Sequence, residues 1–556
     1  MWRAKILFCF FILIFFLIIA RLFWWQVISS DKLTAMADSQ YAQTLSLPAK
    51  RGEIFSNDGF PLVTNQQAFL LFAETKKIND LAFNLKLAKI LEVSEASISA
   101  KISPDLFWVA LAHKIPNEQA KEIKKLNLAG VGLSPEAQRF YPEASTSAHL
   151  LGFLGSDENG KEKGYFGLEG YYDRELAGRE GVLRQEKDVW GNPILFGTQN
   201  EQKAVDGRSL NLYLDRNIQY LVENKLKNAM EKYGAKSGSV IVMDPVTGGI
   251  LAMATLPNFD PGKFGEFSGD VYKNPVVSDS YEPGSTFKVV IMASAVDAGL
   301  VKANDLYDDS GPVKIGDYYI RTWNDQYIGK ETATQIIEHS SNTGMVWVGK
   351  KLGKNRLLSY LDKFGFNQQT GIDLEGEAEI NPRPKADWGE IDLATASFGQ
   401  GIAVTPIQML QAVNVIAGGG KLVKPLVVAS VIDSNGKKIA IEPKIIRQVI
   451  KSETAEVIKK MMVAAVENGE AKWAKVKGYK IAGKTGTAQI PIAGHYDPTK
   501  TNATFVGFAP ADKPRFTMLV KLTEPASSPW AAETAAPLFF DIARELFNYY
   551  GISPTE

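Results

Sequence analysis

The chain has 556 residues, enough for two to four domains with a substantial hydrophobic core. Lys plus Arg and Asp plus Glu are balanced at 62 each, so the chain lacks the basic excess that favours binding to nucleic acid. The single cysteine, Cys9, lies in an apolar run, which excludes disulfides and cysteine-based zinc sites from the rest of the chain. No metal or cofactor is expected, because the four histidines are scattered without a paired spacing: His113, His149, His339 and His495.

The N-terminal segment is apolar enough to cross a membrane. Residues 6–20 form an unbroken apolar run, and the apolar character continues beyond Arg21. About 20 helical residues span the hydrocarbon core of a bilayer, and Trp24 and Trp25 suit its interface. We therefore predict a transmembrane anchor over residues 6–28, with a buried core helix as the alternative.

The charges beside this segment predict its orientation. Arg3 and Lys5 precede the apolar run, and positive charge favours the cytoplasmic side of a membrane. We expect residues 1–5 to be a cytoplasmic tail and the chain after the anchor to lie outside the cytoplasmic membrane. A cleaved signal peptide fits less well, because large residues stand where a cleavage site needs small ones.

Residues 29–234 have the pattern of a spacer or docking domain. Between Lys50 and Arg208 no segment concentrates catalytic residue types. A turn signal at residues 57–59 predicts a hairpin, and the glycine-rich residues 164–170 predict turns and packing sites. Three helices are predicted from these apolar positions: Leu81, Leu85, Ala88 and Leu91; Ala120, Ile123 and Leu126; and, after an N-cap at Asp215, residues 218–233.

Residues 235–556 have the pattern of an α+β domain. One β-hairpin is predicted over residues 239–254 and a second over residues 503–521. A further strand at residues 479–489 could pair with the second hairpin. An amphipathic helix is predicted near residues 537–550. The result is an antiparallel sheet flanked by helices.

Residues 281–290 are the first place where chemistry is expected. A Pro-Gly turn signal followed by helical spacing places Ser285 in the first turn of a helix, and Lys288 lies on the same helix face. An unprotonated lysine could take the hydroxyl proton, and the helix N-terminus favours negative charge near the serine. The S-x-x-K pattern is weak by itself, since it occurs twice more, at Ser29/Lys32 and Ser434/Lys437.

Two further motifs follow in the same domain. Ser340 and Asn342 fall in the middle of a helix predicted to begin near Thr332. Serine and asparagine are poor helix formers, so their presence there suggests a functional role. The run Lys484-Thr-Gly-Thr487 is the only K-T-G in the chain. Its glycine would let a substrate backbone approach a strand edge, its threonine hydroxyls can bind a carboxylate, and its lysine adds positive charge.

The three motifs together carry a specific resemblance. The second and third begin 55 and 199 residues after the first, in the order found in penicillin-recognising serine acyltransferases. Further segments are similar to the class B penicillin-binding proteins, which are peptidoglycan D,D-transpeptidases: residues 51–54, 167–173, 243–248, 281–288, 398–408 and 482–489. The resemblance implies a transmembrane helix, an elongated α+β pedestal of the dimerisation type over residues 29–234, and a C-terminal transpeptidase domain over residues 235–556.

The resemblance also implies roles for individual residues. Ser285 would attack the penultimate D-alanine of a stem peptide, with Lys288 as general base. Ser340 would relay protons, and Asn342 would hold Lys288 and the substrate amide. The backbone amides of Ser285 and Thr487 would form the oxyanion hole. Lys484 would act in catalysis as a second cation near Lys288. Thr485 and Thr487 would hold the terminal carboxylate, with Gly486 in the same substrate-binding run, and β-lactams would acylate the same serine.

Partners and cell role follow from the family alone. The resemblance implies peptidoglycan stem peptides as substrate, β-lactams as inhibitors, and a multi-span lipid-II polymerase with other divisome proteins as partners at the cytoplasmic membrane. Residues 476–489 and 496–500 look more like the division-type members than the elongation-type ones, which remain an alternative.

Two other functions share these motifs. A class A β-lactamase would also have an E-x-x-x-N match, which Glu377 and Asn381 provide, but Ser341 stands where those hydrolases carry aspartate. The anchor also argues against a secreted hydrolase. A membrane-anchored scaffold or β-lactam sensor is the remaining alternative, and the intact motif residues speak against it.

Overall fold

A computed structural model describes residues 1–78, 83–102, 106–186, 199–492 and 495–555. The chain divides into two compact units, the first made of residues 1–52 and 177–207 and the second of residues 53–176 and 208–556. Leu81, one of the predicted helix positions, lies outside the described residues.

The α-helices are, in chain order, α1 (Trp2–Phe23), α2 (Ser30–Tyr41), α3 (Phe83–Leu91), α4 (Glu95–Ser99), α5 (Asn117–Lys125), α6 (Ala148–Leu151), α7 (Gly167–Tyr171), α8 (Asp173–Ala177), α9 (Arg216–Tyr233), α10 (Pro275–Ser278), α11 (Lys288–Asp297), α12 (Ala333–Glu338), α13 (Asn342–Leu352), α14 (Lys354–Phe364), α15 (Glu390–Ala396), α16 (Pro406–Ala417), α17 (Ser452–Asn468) and α18 (Ala535–Tyr549).

The strands are β1 (Ala42–Leu47), β2 (Ile54–Phe55), β3 (Pro61–Ala73), β4 (Val109–Pro116), β5 (Val131–Phe140), β6 (Phe153–Ser156), β7 (Glu162–Tyr165), β8 (Gly181–Glu186), β9 (Gln199–Gln202), β10 (Ser209–Leu212), β11 (Ser237–Met243), β12 (Ile250–Leu256), β13 (Leu306–Asp309), β14 (Val313–Ile315), β15 (Tyr318–Ile320), β16 (Gly329–Thr332), β17 (Lys421–Val423), β18 (Val428–Ile432), β19 (Lys438–Ala440), β20 (Ile445–Gln448), β21 (Ala482–Ile492), β22 (His495–Ala509) and β23 (Phe516–Thr523).

The first unit contains the apolar N-terminal helix. Helix α1 continues through a π-helical turn, Trp24–Ile28, and the 27 residues Trp2–Ile28 are long and apolar enough to cross a membrane. Its side chains are exposed, as expected of a helix whose apolar surface faces lipid. Within the described residues, the helix therefore fits a single-pass membrane anchor. The same unit holds a small antiparallel sheet in the order β1-β8-β9.

The second unit includes a mixed seven-stranded sheet. Its order is β19-β18-β10-β2-β3-β4, with β5 also paired to β3. Strands β2 and β3 form the predicted hairpin around residues 57–59. Helix α5 buries Ala120 and Ile123 as predicted, whereas α3 buries Phe83, Leu87 and Ala88 and leaves Leu85 60% exposed. The helix was therefore predicted correctly, but its buried face is a different one from the face that was predicted.

The glycine-rich segment at residues 164–170 is partly helical. Residues 162–165 form β7 and residues 167–171 form α7, so the prediction of turns was wrong. The packing part of the prediction is confirmed at Gly167, since a Cβ there would lie 2.5 Å from the backbone oxygen of Leu150. The segment is therefore packed tightly against its neighbours.

The predicted antiparallel sheet has five strands in the order β12-β11-β23-β22-β21. Alternate residues of β11 point to opposite faces. Val240 and Val242 join a cluster with α9 and α18, whereas Ile241 and Met243 join the cluster that contains α11. Both hairpins, the helix cap at Asp215 and the C-terminal helix are confirmed. The sheet is thus covered by helices on both faces, and β21 lies at its edge.

Candidate active site

Ser285 lines a cavity of about 250 Å³. The residue is part of a 3₁₀ turn, Gly284–Phe287, which leads directly into α11. The predicted position in the first turn of a helix is therefore confirmed, with 3₁₀ rather than α geometry. Segments far apart in sequence complete the cavity wall, which includes Ser340, Asn342, Thr485 and Thr487.

Backbone contacts hold the Ser285 turn in place. The amide of Gly284 donates to the carbonyl of Gly399 at 3.0 Å, and a Cβ at Gly399 would lie 2.0 Å from the Gly284 oxygen. Tyr281 and Val404 exchange two backbone hydrogen bonds of 2.9 Å on the approach to the turn. The segment around residue 400 therefore supports the turn from one side.

Strand β21 supports the turn from the other side through Gly486. A Cβ on this glycine would lie 2.7 Å from Cγ2 of Thr286 and 3.0 Å from the carbonyl oxygen of Pro283. The contacts show that this glycine makes room for the Ser285 turn. The room it would leave for a substrate backbone stays a prediction. Glycine at this position thus sets the distance between the strand and the serine.

Lys288 is completely buried on the first turn of α11. Its Nζ donates to the Ser340 carbonyl at 2.5 Å, to Oδ1 of Asn342 at 2.8 Å and to the Ser340 hydroxyl at 3.3 Å. Burial lowers the pKa of Lys288 well below its usual value, and the nearby ammonium of Lys484 lowers it further. A buried amine with a lowered pKa is equipped to accept a proton near neutral pH.

Ser340 and Asn342 do not lie in the middle of a helix, so that prediction was wrong. Helix α12 ends at Glu338, Ser340 adopts a left-handed φ of +58°, and α13 begins at Asn342. The hydroxyl of Ser341 caps α13 by accepting from the Gly344 amide at 3.0 Å. Serine and asparagine favour such helix starts, and the break turns the Ser340 carbonyl and hydroxyl towards Lys288.

The K-T-G run lies on β21 as predicted. Lys484 is 3% exposed, burial lowers its pKa, and its Nζ donates to the Thr485 hydroxyl at 3.1 Å. Thr485 in turn donates to a carboxylate oxygen of Glu470 at 3.1 Å. The hydroxyl of Thr487 accepts from the amide of Ala531 at 3.0 Å. The structure therefore brings the eight sequence-predicted site residues into one region.

Several residues that line the cavity were not anticipated. Glu470 follows the end of α17, and Trp323 and Trp530 approach each other with ring centroids 5.2 Å apart. Phe398 and Gln400 also line the cavity, and they lie in a segment that carried the family resemblance. No local pattern marks Glu470 or the two tryptophans, because their role depends on which segments meet in space.

The E-x-x-x-N match does not lie in the cavity. The carboxylate of Glu377 accepts from the Thr370 amide at 2.6 Å and from the Gly371 amide at 3.1 Å. Those contacts stabilise the loop that contains residues 370–377, so the carboxylate of Glu377 has a structural role there. This finding agrees with setting the class A β-lactamase interpretation aside.

Comparison with known proteins agrees with the geometry. Residues 238–544 match the family described as penicillin binding protein transpeptidase domain, and residues 46–212 match the penicillin-binding protein dimerisation domain. Stage V sporulation protein D of Bacillus subtilis is 35% identical over 99% of this chain and 86% of its own length. Peptidoglycan D,D-transpeptidase FtsI of Escherichia coli is 30% identical over 100% of this chain and 92% of its own.

Solved structures show the same architecture. A peptidoglycan synthetase from Bifidobacterium adolescentis matches with a TM-score of 0.76 and 27% identity, covering 93% of this chain and 98% of that one. Penicillin binding protein 3 from Mycobacterium, complexed with aztreonam, matches with a TM-score of 0.71 and 27% identity, covering 92% and 99%. The likeness extends over both the pedestal and the catalytic half of the chain.

Proposed function

The chain belongs to the class B penicillin-binding proteins, the peptidoglycan D,D-transpeptidases, and we propose that it cross-links stem peptides through an acyl-enzyme on Ser285. The observation that supports this most is the contact of the buried Lys288 amine with Ser340 and Asn342 beside the Ser285 turn. A nucleophile, a base with a lowered pKa and the groups that orient the base are the parts such a reaction needs.

In the acylation step, the hydroxyl oxygen of Ser285 attacks the carbonyl of the penultimate D-alanine. Neutral Lys288 takes the hydroxyl proton as the new C–O bond forms. The C–N bond to the terminal D-alanine then breaks, and Ser340 passes the proton to the leaving amine. Asn342 keeps the Lys288 amine oriented, for which the 2.8 Å contact is the support.

Negative charge develops on the carbonyl oxygen during this step. The backbone amides of Ser285 and Thr487 serve as the oxyanion hole, because two preorganised donors can stabilise that charge without reorganisation. Thr485 and Thr487 hold the terminal carboxylate of the donor, with the ammonium of Lys484 behind them. The position of both threonines on the cavity wall supports this assignment.

In the second step an amine from a neighbouring stem peptide attacks the acyl carbonyl. A C–N bond forms, the ester bond to Ser285 breaks, and the amine proton returns through Lys288 to the serine oxygen. A β-lactam acylates the same serine, but its ring-opened leaving group stays attached and blocks the second step.

We infer the location of this chemistry in the cell from the anchor and its charges. The N-terminus lies in the cytoplasm and the catalytic half outside the membrane, which the Arg3/Lys5 flank supports. The chain works at the division septum with a lipid-II polymerase that spans the membrane several times. Residues 476–489 and 496–500, which look more like the division-type members of the family, support the division role over an elongation role.

The test is acyl transfer by the purified full-length chain in detergent. A thioester mimic of the stem peptide and a D-amino acid acceptor are incubated with the wild type and with Ser285→Ala, and products are read by mass spectrometry. We expect transfer to the acceptor that disappears in the variant. Hydrolysis without transfer would favour a carboxypeptidase or β-lactamase, and a folded chain that forms no adduct would favour a scaffold.

A further inference from the structure

Glu470 is the one charged residue among the described residues that line the cavity. Its position is fixed by the end of α17, where Asn468 donates to the Glu338 carboxylate at 3.0 Å. A Cβ at Gly469 would lie 2.8 Å from the Glu338 carbonyl oxygen, so the chain passes close to the end of α12 at this point. These contacts direct the next residue, Glu470, into the cavity wall.

The Glu470 carboxylate contacts the hydroxyl that binds substrate in the proposed function. Its Oε2 accepts from Thr485 at 3.1 Å, and Lys484 donates to the same hydroxyl from behind at 3.1 Å. Burial lowers the pKa of both Lys288 and Lys484, and the negative charge of Glu470 offsets part of that lowering, so Glu470 is within electrostatic reach of the two buried amines. In the proposed function a substrate carboxylate binds the same Thr485 hydroxyl, so Glu470 and that carboxylate would compete for it.

The leaving residue of the donor and the incoming acceptor pass the Thr485 hydroxyl one after the other. The terminal D-alanine leaves from the side of Thr485, and the acceptor amine must enter from the same side because attack is the reverse of departure. If D-alanine itself re-enters, its amine attacks the acyl carbonyl, the ester bond breaks, and acylation is merely reversed. An acceptor without a carboxylate next to its amine makes a new product instead.

We propose that Glu470 is a specificity-determining residue that disfavours acceptors carrying a carboxylate beside the attacking amine. This inference depends on the proposed function, because that function assigns Thr485 to the carboxylate of the leaving residue. Once D-alanine has departed, the Glu470 carboxylate beside the Thr485 hydroxyl repels a second carboxylate that approaches with the acceptor. The acceptor class it favours is an amine next to a neutral group, such as an amidated carboxyl or a side-chain methylene.

The size of the effect follows from Coulomb interaction near a protein surface. Two like charges a few ångströms apart in such a partly screened setting change a rate by about tenfold or more. Screening by salt reduces the effect, since Glu470 is solvent-exposed. Both consequences can be measured without knowing the natural acceptor.

The experiment compares D-alaninamide with D-alanine as acceptor. The full-length chain is acylated by a thioester donor, and the ratio of transfer to the two acceptors is measured for the wild type and for Glu470→Gln. The variant keeps an acceptor for the Thr485 hydroxyl and loses the charge, so we expect the ratio to fall from about ten towards one. Glu467→Gln is the matched control, because Glu467 lies three residues before Glu470, in the last turn of α17, and its carboxylate pairs with Lys475.

A wild-type preference for the amide that also weakens between 0.05 and 0.5 M salt would support the inference even if Glu470→Gln were unstable. An unchanged ratio in a folded Glu470→Gln variant would overturn it while leaving the transpeptidase intact. If the wild type formed no acyl-enzyme on Ser285, the proposed function would fall and this inference with it.

Discussion

The Nζ atom of Lys288 lies 2.8 Å from Oδ1 of Asn342. Among the side chains of the S-x-N turn that contact the amine, the nearest is therefore a neutral one. An aspartate at residue 342 would keep the shape and add a negative charge. Because the present partner is neutral, burial and Lys484 can together hold the pKa of Lys288 low.

Asn342→Asp should therefore slow acylation at neutral pH. The new carboxylate favours the protonated amine and raises the pKa of Lys288, so less of the base is available. We expect a loss of about 10- to 100-fold at pH 7 that is partly recovered at higher pH. The measurement is the second-order rate of labelling by a fluorescent penicillin across pH, and Asn435→Asp, in an exposed turn, is the control. A pH profile with an unshifted acidic limb would rule out Lys288 as the base.

Gly486→Ala should separate strand β21 from the Ser285 turn. The added methyl would lie 2.7 Å from a Thr286 carbon and 3.0 Å from the backbone at Pro283, so one side must move. A displacement of that size at the nucleophile costs roughly 100-fold in acylation, because the reacting groups lose alignment. Penicillin labelling measures the loss. Gly265→Ala is the matched control, since nothing lies within 4 Å of its added Cβ; equal labelling of both variants would contradict the prediction.

The parts of the fold that could be predicted are those specified by local signals. The hairpin β11–β12 follows from apolar strands around a turn, and the start of α9 follows from Asp215, whose side chain accepts from the amides of residues 217 and 218. The three motifs were found because each is contiguous. Local pattern and tertiary structure agree at these places.

The parts that could not be predicted depend on contacts between distant segments. The helix break at Ser340 requires a left-handed backbone, and a carbonyl there accepts a hydrogen bond from Lys288, 52 residues earlier. Gly486 and Glu470 are explained only by neighbours from other elements. The domain boundary placed at residue 234 stays a prediction, although α9 packs into the cluster of the five-stranded sheet.

Ser341→Ala should destabilise the catalytic half more than it slows the reaction. The serine caps α13 and is 4% exposed, and its hydroxyl lies 3.0 Å from that of Thr343. We expect a loss of about 1–2 kcal/mol, seen as a lower thermal midpoint, and a decrease in penicillin labelling of less than about tenfold.

Ser94→Ala tests the same kind of cap far from the cavity. Ser94 caps α4 by accepting from the Ser97 amide at 3.2 Å, and this cap is exposed. It should cost about 0.5 kcal/mol and leave labelling unchanged. If Ser341→Ala abolished labelling while the thermal midpoint stayed constant, the residue would have a chemical role instead of a structural one.

The orientation of the anchor can be tested with the single cysteine of the chain. Cys9 lies inside the candidate span Trp2–Ile28, so Cys9→Ser gives a background free of thiols. In that background, Ser434→Cys adds a thiol in an exposed turn of the catalytic half, and Ala4→Cys adds one near the N-terminal end of the helix, in the predicted cytoplasmic tail of residues 1–5. A membrane-impermeant maleimide should label the first in cells with a permeabilised outer envelope, and the second only after the cytoplasmic membrane is lysed. The reverse pattern would show that the catalytic half is in the cytoplasm, where it could not reach exported peptidoglycan.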